Sequence, residues 1–166
     1  SQKPLQNRAF LGKTRRNKTM IRVLFVCHGN ICRSPMAEFV MKKIVVDNKL
    51  ADKFLINSSA TSTEEIGNGI HRGTKAKLTE MNIPFTSHHA VQITKDDYKN
   101  YDYIIAMDSM NLRNLQRIVG FDNEKKFTAC LSLPIIHEMW QIHGTQAILM
   151  LLTPTLTMVA EHFWST

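Results

Sequence analysis

The feature that most constrains the fold is the apolar run MIRVLFV at residues 20–26, which leads directly into a short polar loop. Short runs that are apolar on both faces and rich in β-branched residues are typical of strands buried inside a parallel sheet. The loop ends at Ser34-Pro35, where serine suits a helix cap and proline suits the first helical turn. The sequence therefore predicts a strand–loop–helix unit inside an α/β protein.

Further predicted strands and helices alternate along the chain. The helix that begins at Ser34 is predicted to reach about Asp47. The later elements are a strand at 54–60, a helix at about 71–82, a strand at 101–107, and a helix at 109–119 with Leu112, Leu115 and Ile118 facing inward. Alternating strands and helices indicate layers around a parallel sheet. A chain of 166 residues is expected to form one domain.

The net charge of +7 is concentrated in residues 1–19, which hold six basic residues and no acidic residue. The other 15 basic residues nearly balance the 14 acidic ones. We therefore expect no nucleic-acid partner for the folded surface. Residues 1–19 are predicted to be a disordered basic extension, and residues 20–166 the domain, with Met20 a natural start. A transit peptide and a nucleic-acid-binding arm are the alternatives for the extension.

Cysteine usage and hydropathy indicate the compartment. The three cysteines, Cys27, Cys32 and Cys130, occur without a secretory signal pattern, which favours a reducing environment, and we expect a cytoplasmic protein. No segment has the ~18–20 apolar residues of a membrane span. The nearest, residues 147–160, is interrupted by Pro154.

The loop CHGNICR, residues 27–33, has the composition of an anion site. Backbone N–H groups converge in such a turn, and the helix dipole adds positive potential. Gly29 and Asn30 tolerate positive φ, and Arg33 can hold two phosphate oxygens. A thiol at Cys27 would be favoured as thiolate, with Ser34 as a hydrogen-bond donor, and could attack phosphorus to form a phosphocysteine.

The alternative interpretation is that Cys27 and Cys32 are small buried residues at the end of a strand. The coincidence of cysteine, glycine, arginine and a Ser-Pro helix start in one register disfavours it. A nucleotide-binding loop is also disfavoured, because the pattern G-x-x-x-x-G-K-[ST] is absent.

The motif CHGNICRSP, followed by MAE at 36–38, resembles the C-x-G-N-x-C-R-S-P signature of the low-molecular-weight protein tyrosine phosphatases. The resemblance extends from Met20 to about Lys126. It also covers SSATS at 58–62, EIGNGIHRG at 65–73, SHHAVQIT at 87–94 and YDYIIAMDSMN at 101–111.

This resemblance implies a fold and an active site. The fold would be a three-layer, flavodoxin-like α/β structure with four parallel strands and helices on both faces. Cys27 would be the nucleophile, Arg33 the phosphate clamp and Ser34 the donor to the thiolate. The phosphate-binding loop would comprise His28, Gly29, Asn30, Ile31, Cys32 and Arg33.

The resemblance further implies supporting residues and partners. Ser58 and His88 would hold Asn30, and Cys32 could form a protective disulfide with Cys27 under oxidation. The substrate would be a phosphotyrosine protein or a small aryl phosphate, without a cofactor and without a membrane partner. One departure is Val91, where many relatives carry a basic residue.

Histidine-rich segments do not indicate a metal site. His71, His88 and His89 fit no standard ligand spacing. The segment HEMWQIH at 137–143 has Gln141 where a metalloprotease helix needs histidine. We therefore expect no bound metal.

The C-terminal part departs from the family pattern. Residues 127–166 contain Glu138 and Glu161 as their only charged residues, whereas residues 20–126 contain 27. The family's general acid lies in an Asp-Pro-aromatic-aromatic motif near the C-terminus, but no aspartate follows Asp122. Glu138 stands in no similar context, so the general acid is unassigned.

A shifted reading frame offers an explanation. Met139 and Trp140 have single codons, so the base triplets that span the junctions from Met139 to Gln141 must encode valine and alanine. The next four junctions permit aspartate, proline, tryptophan and tyrosine. We hypothesise that residues from about 127 onward are the family's own C-terminus translated out of frame. The alternative is a genuine divergent tail.

The leading function is hydrolysis of phosphomonoesters through a phosphocysteine, impaired by the missing acid. A non-catalytic phosphate or phosphoprotein binder is the alternative from a different class. A phosphoarginine phosphatase of the same fold is disfavoured by Ile31, where those relatives favour threonine. An arsenate reductase would need further cysteines downstream, where only Cys130 is found.

Overall fold

A computed structural model describes residues 20–47 and 49–129. The elements in chain order are β1 (Ile21–Cys27), α1 (Arg33–Asp47), a 3-10 turn (Ala51–Lys53), β2 (Phe54–Ala60), α2 (Arg72–Glu80), α3 (Lys95–Asn100), β3 (Tyr103–Ala106), α4 (Ser109–Val119) and β4 (Phe127–Ala129). In this part of the chain, no helix combines the length and hydropathy that a bilayer crossing requires.

Several sequence predictions concern residues outside these ranges. They are the basic extension at 1–19, Cys130, the histidine segment at 137–143, Glu138, and the tail beyond residue 129. They stay predictions.

The four strands form one parallel sheet in the order β2-β1-β3-β4. This confirms the expected four-stranded α/β fold. β1 lies in the middle of the sheet with helices packed on both faces, which is why residues 23–27 are all buried. The carboxyl ends of parallel strands share one edge of a sheet, and binding sites form there. Cys27 at the end of β1 and Asp108 just after β3 are thereby brought to the same edge.

Each face of the sheet has its own core. Val23 and Phe25 of β1 face a cluster that includes Met36 and Val40 of α1 and Leu78 of α2. Leu24 and Val26 face the opposite cluster, which contains Leu115 of α4, with Leu112, Ile118 and Tyr98 packed against it. Alternation along β1 therefore separates two helical layers, and the predicted inward face of α4 is confirmed.

Two local expectations were wrong in detail. α1 begins at Arg33, and the Ser34 hydroxyl faces the preceding loop, where it contacts Cys27. The third strand spans only Tyr103–Ala106, because Tyr101 still caps the short helix before it. Asp102 lies between the two elements and exchanges hydrogen bonds with Arg22.

That short helix, α3, was absent from the sequence prediction. Its six residues are too few to show an apolar period. The signal that could have found it is a capping box. The Thr94 side chain accepts from the Asp97 backbone N–H, and the Asp97 carboxylate accepts from the Thr94 N–H.

Candidate active site

The loop between β1 and α1 is tied to the chain segment that follows β2. Thr61 N–H donates to the Cys27 carbonyl at 2.9 Å, and Ser62 N–H donates to the His28 carbonyl at 3.0 Å. Farther along the loop, His71 N–H donates to the Ile31 carbonyl at 2.9 Å. These bonds use carbonyl groups of the loop. They hold the backbone of the loop without using the N–H groups on which an anion site depends.

Asn30 carries the unusual backbone conformation of the loop. Its φ is +57°, whereas Gly29 is not among the glycines with positive φ. Position 29 instead favours glycine for reasons of space, because a Cβ there would lie only 3.2 Å from Cγ of Glu65. The left-handed conformation therefore falls on a non-glycine residue. Such a conformation persists only where the surrounding contacts hold it.

The surroundings of Asn30 are specific, and the residue is fully buried. Its side-chain amide donates to Ser34 Oγ and Ser58 Oγ, both at 2.9 Å. Its Oδ1 accepts from Val91 N–H at 3.2 Å, and Nε2 of His88 lies 2.8 Å from its carbonyl oxygen. The structure thus brings Ser58 and His88 together with Asn30.

The Cys27 thiol is buried and faces two hydrogen-bonding groups. Ser34 Oγ lies 3.0 Å from its sulfur, and Asn30 N–H donates to the sulfur at 3.3 Å. Ser34 already accepts from the Asn30 amide, so its own hydrogen is available for the sulfur. The sulfur therefore lies within reach of two hydrogen-bond donors.

Arg33 follows the loop at the start of α1 and is paired across the sheet edge. Its guanidinium donates to Oδ2 of Asp108 at 2.6 Å. Asp108 is also the N-cap of α4, since Oδ1 accepts from Asn111 N–H at 2.6 Å. Burial opposes ionisation of Asp108, but the bonds from Arg33 and Asn111 hold its pKa below the usual value. Asp108 therefore orients Arg33 as a carboxylate.

Glu38 and Lys42 extend the network behind the loop. Ser58 Oγ donates to Oε1 of Glu38 at 2.7 Å, and Lys42 Nζ donates to Oε2 at 2.7 Å. The Glu38 side chain is only 7% exposed. The carboxylate therefore sits in the protein interior with one ammonium partner.

The rim of the loop carries His28 and Cys32. Nε2 of His28 lies 3.0 Å from Oε2 of Glu64, and both side chains are exposed. Cys27 and Cys32 are both free thiols. Burial raises the pKa of the Cys32 thiol.

Asp108 and Glu38 belong to the site although no sequence motif indicates a role for them. Asp108 lies 75 residues from Arg33, but its place just after a buried strand was a usable signal. Glu38 stands between apolar residues of the helix stripe, four positions after Ser34, which places it on the inward face. An acidic residue on a buried helical face requires a partner, so its position was informative.

Comparison with known proteins identifies the family. A family model described as low molecular weight phosphotyrosine protein phosphatase matches residues 22–133, more than half of the chain. The chain belongs to the low molecular weight phosphotyrosine protein phosphatase family. The family resemblance of the loop motif is thereby confirmed.

Curated relatives of this family match the same part of the chain. The low molecular weight phosphotyrosine protein phosphatase of Gallus gallus is 50% identical over 95 residues, which are 57% of this chain and 60% of the relative. The low molecular weight protein-tyrosine-phosphatase YfkJ of Bacillus subtilis is 42% identical over 104 residues, 63% of this chain and 67% of the relative. The chain thus spans about three fifths of the vertebrate relative.

Solved structures of the family share the fold. The crystal structure of YfkJ from Bacillus subtilis has a TM-score of 0.73 at 31% identity, covering 89% of this chain and 97% of that one. The low molecular weight protein tyrosine phosphatase SP-PTP from Streptococcus pyogenes has a TM-score of 0.72 at 38% identity, covering 83% and 92%.

Proposed function

We propose that this chain is a phosphatase that hydrolyses phosphotyrosine-like monoesters through a phosphocysteine at Cys27. The observation that carries the proposal is the pair of hydrogen-bonding groups around the Cys27 sulfur. It receives hydrogen bonds from Asn30 N–H and faces Ser34 Oγ, while Arg33 stands at the start of the adjoining helix. A cysteine nucleophile at the head of an anion-binding loop, with an arginine at the start of the next helix, is the arrangement that phosphoryl transfer to sulfur requires.

The chemistry has two steps. The Cys27 thiolate attacks phosphorus, so that an S–P bond forms and the P–O bond to the leaving phenol or alcohol breaks. The leaving oxygen takes a proton from an acid or from water. Water then attacks phosphorus and breaks the S–P bond, which releases inorganic phosphate and a proton and restores the thiolate. Arg33 and the loop N–H groups stabilise the equatorial oxygens in both steps.

We infer that the first step is slow. No aspartate follows Asp122 in the sequence, so the family's Asp-Pro-aromatic-aromatic acid is missing. The loss of a general acid typically costs ~10²–10⁴-fold in rate. Substrates whose leaving group needs little protonation, such as p-nitrophenyl phosphate, should suffer least. Because the thiol needs reducing surroundings, we place the activity in the cytoplasm.

The missing acid supports one second candidate, a non-catalytic binder of phosphate or phosphoproteins. Hydrolysis of p-nitrophenyl phosphate by the full chain, by Cys27→Ser and by Cys32→Ser separates the two functions. We expect turnover that Cys27→Ser abolishes and Cys32→Ser retains. No Cys27-dependent turnover, together with retained vanadate binding, would favour the binder.

A further inference from the structure

His28 is the exposed side chain of the loop at residues 27–33, whose other residues are buried or half-buried. Its side chain is 51% exposed, and Nε2 lies 3.0 Å from Oε2 of Glu64, whose side chain is 70% exposed. Nδ1 of His28 has no hydrogen-bond partner among residues 20–47 and 49–129. One ring nitrogen is therefore open to solvent on the residue that follows the nucleophile.

The course of the displacement places the leaving oxygen on this open side. The Cys27 sulfur is buried, so it attacks a phosphorus atom held in the loop from the protein side. The attacking and leaving atoms stand roughly in line in phosphoryl transfer, so the leaving oxygen faces solvent. The backbone of His28 is fixed at this mouth, because Ser62 N–H donates to its carbonyl at 3.0 Å.

Other titratable groups around the loop are less suited to give a proton to that oxygen. Burial opposes ionisation of Asp108, but the bond from Arg33 holds its pKa below the usual value, so it stays a carboxylate. Burial raises the pKa of the Cys32 thiol, which makes it a weaker acid. Oε2 of Glu65 is occupied by the Asn68 amide at 2.7 Å. Imidazole is the side-chain group that ordinarily holds and releases a proton near neutral pH.

We propose that His28 is the proton donor to the leaving oxygen, in the role that the family's missing aspartate would fill. The proposal rests on the proposed function, in which Cys27 attacks phosphorus. Nε2–H donates to Glu64, so the transferable proton is on Nδ1. In the first step the Nδ1–H bond breaks and an O–H bond forms as the P–O bond to the leaving group breaks. In the second step Nδ1 takes a proton from the attacking water while the S–P bond breaks.

The test compares two esters whose leaving groups differ in their need for a proton. Phenyl phosphate releases a basic phenolate, whereas p-nitrophenyl phosphate releases a stable anion. The readout is kcat/KM for each ester with the full chain and with His28→Gln, which keeps a polar side chain but transfers no proton near neutral pH. We expect kcat/KM for phenyl phosphate to fall by about tenfold, less than the ~10²–10⁴-fold of an enclosed general acid because the ring is half exposed. The value for p-nitrophenyl phosphate should fall by no more than about twofold.

His89→Gln is the matched control, because it makes the same exchange at an exposed histidine outside the loop. Nδ1 of His89 lies 3.1 Å from the Gly67 carbonyl oxygen. Both esters should keep their kcat/KM within about twofold in this variant, as is usual for surface substitutions. A selective loss on phenyl phosphate in His28→Gln, absent from His89→Gln, supports the proposal.

Two results would overturn the proposal alone. One is an equal loss on both esters in His28→Gln, which would show that His28 acts through the shape of the loop. The other is unchanged kcat/KM for both. If the parent shows no turnover that Cys27→Ser abolishes, the proposed function fails and the role of His28 with it. Circular dichroism establishes that each variant is folded, and His28→Asn repeats the comparison if His28→Gln does not fold.

Discussion

At the scale of the residue, Asn30 combines two properties that few side chains offer together. It adopts a φ of +57° and its amide bonds to both serines of the loop network. Glycine would supply only the conformation, and alanine neither. The paired substitutions Asn30→Gly and Asn30→Ala therefore separate backbone strain from the lost hydrogen bonds.

We predict that both Asn30 variants lose stability and Cys27-dependent turnover. The loss of buried hydrogen-bond partners costs about 1–3 kcal/mol in each. Asn30→Ala should be less stable than Asn30→Gly by a further ~1–2 kcal/mol, because only alanine is strained in the left-handed region. Urea unfolding measures the difference. Equal stability of the two variants would show that the left-handed conformation is not retained in solution.

At the scale of the element, Asp122 secures the entry to the edge strand β4. Its carboxylate accepts from the Tyr98 hydroxyl at 2.6 Å and from the N–H groups of Lys126 and Phe127 at 2.7 and 2.9 Å. One side chain thus joins α3 to the start of β4. Since β4 has only three described residues and, within residues 20–47 and 49–129, pairs with β3 alone, this attachment contributes much of its local order.

We predict that Asp122→Asn destabilises the protein by about 1.5–3 kcal/mol, the range for hydrogen bonds to a charged group. Hydrogen exchange should show the loss concentrated at the amides of residues 126–129. Asp96→Asn is the matched control, because Asp96 is a largely exposed carboxylate on α3. Comparable losses in both variants would argue against the proposed role of Asp122.

The same carboxylate predicts a pH dependence. Burial opposes its ionisation, but the bonds from Tyr98, Phe127 and Lys126 hold the pKa of Asp122 below its usual value. A depressed folded pKa contributes stability that is present above the unfolded value, about 3.9, and is lost as the pH falls through the folded pKa. The stability difference between the parent chain and Asp122→Asn should therefore be largest near neutral pH and shrink below about pH 4. A difference that grows on acidification would have the wrong sign.

At the scale of the whole molecule, the sequence predicted the layers and the loop better than the network around them. β1 and β2 could be placed because short, largely apolar runs between turn residues are typical of buried strands. The positions of Glu38 and Asp108 were informative, but their roles could not be assigned, because their partners Ser58 and Arg33 lie 20 and 75 residues away and meet them only in the folded chain. α3 was missed because six polar residues show no apolar period.

The reading-frame hypothesis concerns the whole C-terminal part of the chain. If residues from about 127 onward are translated out of frame, resequencing the gene across codons 124–130 in close source isolates should reveal one missing or extra base. Restoring the frame should supply an Asp-Pro-Trp-Tyr segment and raise kcat on phosphotyrosine by ~10²–10⁴-fold. An intact frame in every isolate would establish the tail as genuine.

The central claim is that Cys27 carries the phosphoryl group. Its most direct test is rapid acid quenching of the full chain during reaction with p-nitrophenyl phosphate, followed by mass spectrometry of the peptide that contains Cys27 and Cys32. We predict one phosphoryl group on Cys27, retained in Cys32→Ser and absent from Cys27→Ser, which should also lose turnover. Turnover that persists in Cys27→Ser, with no phosphoryl group on the parent peptide, would contradict the claim.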